Sequence, residues 1–305
     1  MARCFVTRRL PGGALDRLAA VHEVEVWPEP LPPSPEQLRE HAGPAEALLT
    51  LLTDRIDAEL LAAAPDLRAI ANYAVGSDNI DLDAARERRI VVGTTPGVLT
   101  EATADLAFGL ILAAARRLPE AHADVAAGRW RTWEPEGWLG LELHGATLAI
   151  VGAGRIGRAV ARRAEGFGMH VVVVGRDDDP LAAFRDADVI SLHAPLTPDT
   201  RHLIDADALA AMKPTAILVN TARGGLVDQE ALASALRDGR IAAAALDVTD
   251  PEPLPADDAL LQAPNVLVVP HIGSATTKTR ARMADMAVDN LLAALAGQPM
   301  PHPAQ

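Results

Sequence analysis

The chain has 305 residues, 49% of them hydrophobic and 23% charged, a globular composition with material for about two cored domains. Its formal net charge of −13 argues against nucleic acid or an anionic membrane as partner, and a small anionic substrate would need a local cationic anchor. A single cysteine, Cys4, excludes an internal disulfide and a clustered-cysteine metal site.

No apolar run approaches the roughly 18 residues of a membrane span. The opening MARCFVTRRL lacks an apolar leader and a small-residue cleavage site. With the lone cysteine, this predicts a cytoplasmic protein.

In chain order, short β-like runs alternate with helical patterns, as in parallel α/β architecture. Strands are expected at residues 3–7, 23–27, 47–50, 67–72 and 90–92, with helices at 57–64 and 82–88 among them and a proline-rich loop at 28–35. A long helix follows over 101–117, with Thr100 as its cap and Leu106, Leu110 and Ala114 on one face. Residues 128–140 hold Trp130, Trp133 and Trp138, a density that fits a packed surface loop or an interface. Alternation then resumes, with strands at 147–151, 170–174, 188–192, 216–220, 243–248 and 266–269 and a helix at 228–237. An amphipathic helix covers 277–295, and 297–305 reads as a loose polar tail. The second half alone therefore makes a six-strand doubly wound sheet, and the first third a smaller α/β unit.

Gly152-x-Gly154-x-x-Gly157 directly follows an apolar strand and opens a helix, the context a dinucleotide fingerprint demands. Gly152 allows a tight turn, Gly154 a close approach of backbone to pyrophosphate, and Gly157 close packing of helix on strand. The next strand ends in Gly175-Arg176 where an NAD site carries an acid. A guanidinium in that place suits a 2′-phosphate, so NADP is the preferred cofactor. Asp177, 20 residues past Gly157, and its neighbours Asp178 and Asp179 keep NAD possible.

Three further segments fall at predicted strand ends. Arg223, next to Gly224 and Gly225, could grip a carboxylate through two parallel hydrogen bonds. Glu252 has a proline on each side that stiffens its backbone. His271 ends an apolar strand and carries a group that titrates near neutral pH. Each alone fits an ordinary surface or structural residue. Together, beside a dinucleotide loop, they form a complete set for reducing a keto acid. The carbonyl oxygen gains negative charge and needs a proton, which His271 can supply. Glu252 would fix the imidazole tautomer, and Arg223 would hold the carboxylate and polarise the carbonyl.

Six ordered motifs carry a resemblance to a known family: NYAVGSDNID (72–81), TEATADLAFGLILAAAR (100–116), VGAGRIG (151–157), NTARGGLVD (220–228), ALDVTDPEPL (245–254) and PHIGSAT (270–276). The chain resembles the D-2-hydroxyacid dehydrogenases, in particular their glyoxylate/hydroxypyruvate reductase branch. The resemblance implies two doubly wound α/β domains with the cleft between them. One is a Rossmann-type dinucleotide domain over 99–276. The other is a smaller flavodoxin-like substrate-binding domain made discontinuously from 1–98 and 277–305. It implies catalytic Arg223, Glu252 and His271, and a substrate held by Arg223, Leu52 and the Val75-Gly76 backbone. On the cofactor side it implies Thr103, Gly152, Ala153, Gly154, Arg155, Ile156, Gly157, Gly175, Arg176, Thr221, Ala222, Asp247 and Gly273, with Asp247 meeting the nicotinamide carboxamide and no metal. It further implies a homodimer built through the cofactor domain, with Trp133 reaching toward a partner's substrate pocket.

The expected activity is NADPH-dependent reduction of a small 2-oxo acid, glyoxylate or hydroxypyruvate, to the D-2-hydroxy acid. A dinucleotide-sensing, corepressor-like binding protein and a dehydrogenase of another small anion remain the alternatives.

Overall fold

The structure is a computed structural model that describes residues 1–304. The chain divides into two compact units, the first from Met1–Leu99 with Ala275–Gln305 and the second from Thr100–Ser274.

The first unit runs β1 (Arg3–Val6), α1 (Ala14–Ala19), β2 (Glu23–Val26), α2 (Pro35–Ala42), β3 (Ala47–Thr50), α3 (Ala58–Ala63), β4 (Ala69–Asn72), α4 (Leu82–Glu87) and β5 (Val91–Gly93). The second runs α5 (Thr100–Ala115), α6 (Leu118–Ala126), β6 (Thr147–Val151), α7 (Arg155–Gly166), β7 (His170–Val174), α8 (Pro180–Asp186), β8 (Val189–Leu192), α9 (Ala206–Ala211), β9 (Ile217–Asn220), a 3₁₀ turn at Gly224–Leu226, α10 (Gln229–Arg237), β10 (Ala243–Leu246) and β11 (Val266–Val268). The long α11 (Thr277–Leu295) belongs to the first unit again.

All strand pairs are parallel, in the order β2-β1-β3-β4-β5 in the first unit and β11-β10-β9-β8-β6-β7 in the second. The protein is thus α/β with two parallel sheets. The central strands β3, β4, β8, β9 and β10 are buried along their whole length, which is why they read as near-continuous apolar runs, interrupted by Thr50, Asn72, Ser191 and Asn220, rather than alternating ones. Helices start where short polar side chains can satisfy free amides: Asp57, Asp81, Asp205 and Asp228 each accept the backbone N–H three residues on. Ser34 and Gln37 form a reciprocal capping box before α2.

Each sheet has one point where the strand order reverses. In the first unit it lies between β1 and β3, in the second between β6 and β8. The crevice outside the carboxyl ends of the strands at such a point is where open α/β sheets hold their ligands. In the first unit an apolar cluster lies on each face of the sheet: Val6, Leu49 and Ala71 pack with Met283 and Leu291 of α11, while Phe5, Leu48 and Ile70 pack with Leu38 and Leu61.

Two expectations need correction. The segment read as a loose tail is pinned: Met300 is buried, Pro303 bridges Gly93, the Thr94 and Ala304 amides donate to the His302 and Val92 carbonyls, and the His302 amide donates to the buried Asn290. Polarity suggested solvent, but the open edge of β5 offers backbone partners that outweigh it. The proline-rich stretch is a loop only to Ser34, since Pro35 opens α2 at the first helical position, where a missing N–H costs nothing.

Candidate functional site

The second unit brings a cradle of glycines to its switch point. Gly152 follows β6 with φ +103°, and a Cβ there would lie 2.7 Å from the Ala194 nitrogen and from the His193 carbonyl carbon just past β8. A Cβ on Gly157 would lie 2.1 Å from the Gly152 carbonyl oxygen, so α7 can press on the loop only with glycine there. Gly154 has open space around it and caps α7 without a side chain, which leaves the first amides of a 12-residue helix, at Arg155, Ile156 and Gly157, facing outward. Ala153 gives its carbonyl to Arg158. Thr221, past the end of β9 and before Ala222, has a buried hydroxyl with no partner among the described residues. An open helix N-terminus at a switch point, with an unsatisfied buried hydroxyl past β9 of the same sheet, fits a dinucleotide with its pyrophosphate on α7.

At the end of β7, Gly175 and Arg176 are exposed, and the Gly175 amide donates to Asp178 Oδ2 at 2.7 Å. Asp178 is therefore folded onto its own loop. His193, beyond β8, lies with Nε2 2.9 Å from the Ser191 hydroxyl, and burial pushes its imidazole down to about 4.

The reacting groups follow β9, β10 and β11. Asn220, the last residue of β9, shapes the Arg223 turn: its Nδ2 donates to the Arg223 carbonyl at 2.8 Å and its Oδ1 accepts the Ala222 amide at 3.0 Å. Arg223 is half-buried, and its Nη1 donates to the Ala222 carbonyl. Glu252 and His271 are in direct contact, Oε2 to Nδ1 2.9 Å, while the other carboxylate oxygen accepts the Thr249 amide at 3.2 Å.

His271 adopts φ +50°, a left-handed backbone that a side chain takes up only when its surroundings impose it. Asp247, 1% exposed, imposes it with three acceptors. Its carbonyl takes the His271 amide at 2.9 Å, Oδ1 the Ile272 amide at 2.6 Å and Oδ2 the Gly273 amide at 2.8 Å. Burial raises the Asp247 carboxyl above its ordinary range, against the pull of these amides and of the neighbouring imidazole. Thr103 of α5 is buried next to the same loop, and a Cβ on Gly273 would come 3.3 Å from its hydroxyl and 3.1 Å from Asp247 Oδ2. The resemblance in ALDVTDPEPL singles out Asp247 for the nicotinamide carboxamide, but nothing in the sequence signals this anchoring role.

In the first unit, Leu52 and Val75 are exposed beyond the ends of β3 and β4, and Gly76 is half-buried. Beneath them lies a polar network of Thr7, Thr50, Asp54, Asn72 and Asn79 that sequence reasoning did not single out, although both asparagines stand in NYAVGSDNID.

No helix among the described residues is long and apolar enough to cross a membrane. Six large apolar side chains of the second unit, Leu118, Val125, Trp130, Trp133, Trp138 and Leu139, are exposed over one short stretch, from 40% for Trp138 to 79% for Trp133.

The model of a family described as D-isomer specific 2-hydroxyacid dehydrogenase, NAD binding domain, matches residues 108–273. A glyoxylate reductase of Korarchaeum cryptofilum is 48% identical over 314 residues, covering 98% of this chain and 95% of that protein. A crystal structure of a Thermus thermophilus protein matches with a TM-score of 0.94 at 51% identity, over 99% of this chain and all of the other. An NADPH-dependent glyoxylate/hydroxypyruvate reductase from Sinorhizobium meliloti, crystallised with NADP and malonate, matches with a TM-score of 0.87 at 33% identity, over 99% and 96% of the two chains.

Proposed function

The chain belongs to the D-2-hydroxyacid dehydrogenase family and is an enzyme of NAD(P)-dependent 2-oxo acid reduction, and on that premise we propose that it reduces glyoxylate or hydroxypyruvate to the D-2-hydroxy acid with NADPH. The observation that carries the reading is the 2.9 Å pairing of His271 Nδ1 with Glu252 on a loop held by Asp247.

The pairing assigns the nitrogens. Glu252 accepts from Nδ1–H and turns Nε2 into the group available to substrate. Nε2–H gives its proton to the carbonyl oxygen as negative charge builds there, and in the reverse direction Nε2 takes the hydroxyl proton. Arg223 pairs with the substrate carboxylate, the local cation that a chain of net charge −13 needs for an anionic substrate. Within the first unit, the Val75-Gly76 backbone and Leu52 are the substrate contacts of this reading. The reduced nicotinamide dinucleotide supplies the hydride when bound.

Gly152 to Gly157 hold the pyrophosphate on α7, with Thr103, Thr221, Ala222 and Gly273 around the remaining cofactor. Asp247, whose carboxylate oxygens already hold two backbone amides, keeps the loop beside the nicotinamide in place. Arg176 takes the 2′-phosphate, a role supported by the glycine at 175 and by Asp178 being folded back onto it. The exposed apolar stretch from Leu118 to Leu139 is covered by a second copy of the chain in a homodimer. The reaction belongs in the cytoplasm, in keeping with the single cysteine.

The test is purified protein with glyoxylate, hydroxypyruvate and larger 2-oxo acids, each with NADPH and NADH, followed at the nicotinamide absorbance. The expected result is turnover with the two small acids and a higher kcat/KM with NADPH. Absence of turnover with every 2-oxo acid between pH 5 and 9 would overturn the reading.

A further inference from the structure

We infer that Asn72 and Asn79 are positioning residues for the substrate carboxylate, clamping two carbonyls so that the amides of Leu52 and Ser77 face outward beside Val75-Gly76. The inference rests on the reaction proposed above and concerns the first unit alone.

The network reaches from that unit's switch point to the loop after β4. Thr7 follows β1, and Leu51–Asp54 follow β3, the two strands between which the order reverses. The Thr7 hydroxyl and the Leu51 amide (2.7 Å) both donate to Asp54 Oδ2, and Asp54 is 3% exposed. The crevice is thus filled by the protein's own side chains, and what a ligand can meet is the loop surface above them.

Two carboxamides organise that surface, each making three hydrogen bonds. Asn79 Nδ2 donates to the Leu51 carbonyl at 3.0 Å and to the Asp54 carbonyl at 2.9 Å, while its Oδ1 accepts from Asn72 at 2.9 Å. Asn72, fully buried, uses its second N–H on the Gly76 carbonyl at 2.9 Å and accepts the Thr50 hydroxyl at 3.3 Å. One amide pair therefore joins the loop after β3 to the loop after β4.

The consequence follows from peptide geometry. In a trans peptide the C=O and the following N–H point in opposite directions. Holding the Leu51 carbonyl inward turns the Leu52 N–H outward, and holding the Gly76 carbonyl inward does the same for Ser77. Among the described residues, none of the Leu52, Val75, Gly76 or Ser77 amides donates a hydrogen bond. Outward amides from two adjacent loops, those after β3 and β4, form a donor set that suits a carboxylate. Exposed Leu52 and Val75 stand beside it as apolar neighbours. The specificity that follows is for a small carboxylate engaged through backbone, with Leu52 and Val75 limiting the bulk tolerated next to it.

The experiment is steady-state kinetics on Asn79→Asp, with nucleotide affinity measured separately by NADPH fluorescence and unfolding by melting temperature. The substitution keeps the side chain's size but replaces two donors with acceptors that repel the Leu51 and Asp54 carbonyls. The expected result is a KM for glyoxylate raised by about tenfold or more, kcat within about threefold, and unchanged NADPH affinity, the pattern of lost ground-state binding. Thr50→Val, which fills the same volume and frees only the Asn72 oxygen, should raise KM by about threefold and serves if Asn79→Asp does not fold. A folded variant with wild-type KM, or one that loses NADPH affinity and melting temperature while KM stays fixed, overturns the inference. Wild-type protein run alongside separates the two levels: turnover in the wild type with unchanged KM in the variants removes this inference only, whereas no wild-type turnover removes the proposed reaction and this inference with it.

Discussion

A Cβ placed on Gly224 would fall 2.0 Å from both the carbonyl carbon and the carbonyl oxygen of Thr249, so the turn carrying Arg223 and the loop carrying Glu252 touch backbone to backbone. Gly224 is glycine because of this approach; its φ is not what requires it. Gly224→Ala must push the two loops apart, at a cost of about 1–3 kcal/mol, the range for overpacking. Melting temperature should fall and kcat/KM should fall further than the loss of folded protein explains. A variant with wild-type melting and wild-type kinetics would show that the two loops are not in contact.

His271→Asn should lower kcat by roughly 10²–10⁴-fold while leaving NADPH binding intact, since it removes the group proposed to donate the proton and nothing proposed to touch nucleotide phosphate. Glu252→Gln keeps a hydrogen-bonding group 2.9 Å from Nδ1 but not the carboxylate, and its loss should be smaller. Stopped-flow reduction separates the chemical step from product release. Near-normal turnover in His271→Asn would remove this residue from the reaction.

Asp247→Asn tests the loop anchor. A carboxamide can accept from one of the Ile272 and Gly273 amides but turns its own N–H₂ toward the other. The loss should be about 1–3 kcal/mol of stability, the cost of a frustrated buried group, with a fall in kcat as the left-handed backbone at His271 loses its support. Thermal unfolding together with kcat checks it; equal stability and rate would mean that the loop is held by other groups.

The imidazole of His193 predicts a pH effect on stability separate from the reaction. Burial lowers its pKa to about 4 in the folded chain, while the unfolded chain keeps about 6.5. Between these values the unfolded state binds the extra proton, so stability is complete above about 6.5 and is lost as pH falls toward 4. Over that window the loss approaches ~3 kcal/mol. His193→Gln should flatten the wild-type slope there, measured by denaturant unfolding at closely spaced pH values. Parallel slopes for the two proteins would refute it.

Arg176→Ala should raise the KM for NADPH by about tenfold or more with little effect on NADH, because a guanidinium on an exposed loop has a 2′-phosphate to meet in one nucleotide only. Equal effects on both nucleotides would take the phosphate role away from Arg176.

The local pattern of this fold was legible in the residues. Buried parallel strands such as β3, β6 and β9 are near-continuous apolar runs because helices cover both faces, and Thr277–Leu295 reads as a helix from its spacing alone. Gly152, Gly154 and Gly157 stand out by their spacing, and at Gly152 and Gly157 backbone contact leaves no room for a side chain. What failed was the polar end of the chain: His302 and Pro303 look solvent-facing until the edge of β5 supplies partners.

The sequence by itself determined the parallel α/β class, the dinucleotide loop and the residue types able to move a proton and hold a carboxylate, because periodicity, glycine spacing and side-chain chemistry are local properties. Only the tertiary structure decided that Glu252 meets His271, that Asp247 bends the His271 loop through three acceptors, and that Asn72 and Asn79 tie two loops together. Each of these joins segments separated along the chain. A hydrogen bond depends on direction and on distances near 3 Å, which strand order and packing set and residue order alone does not.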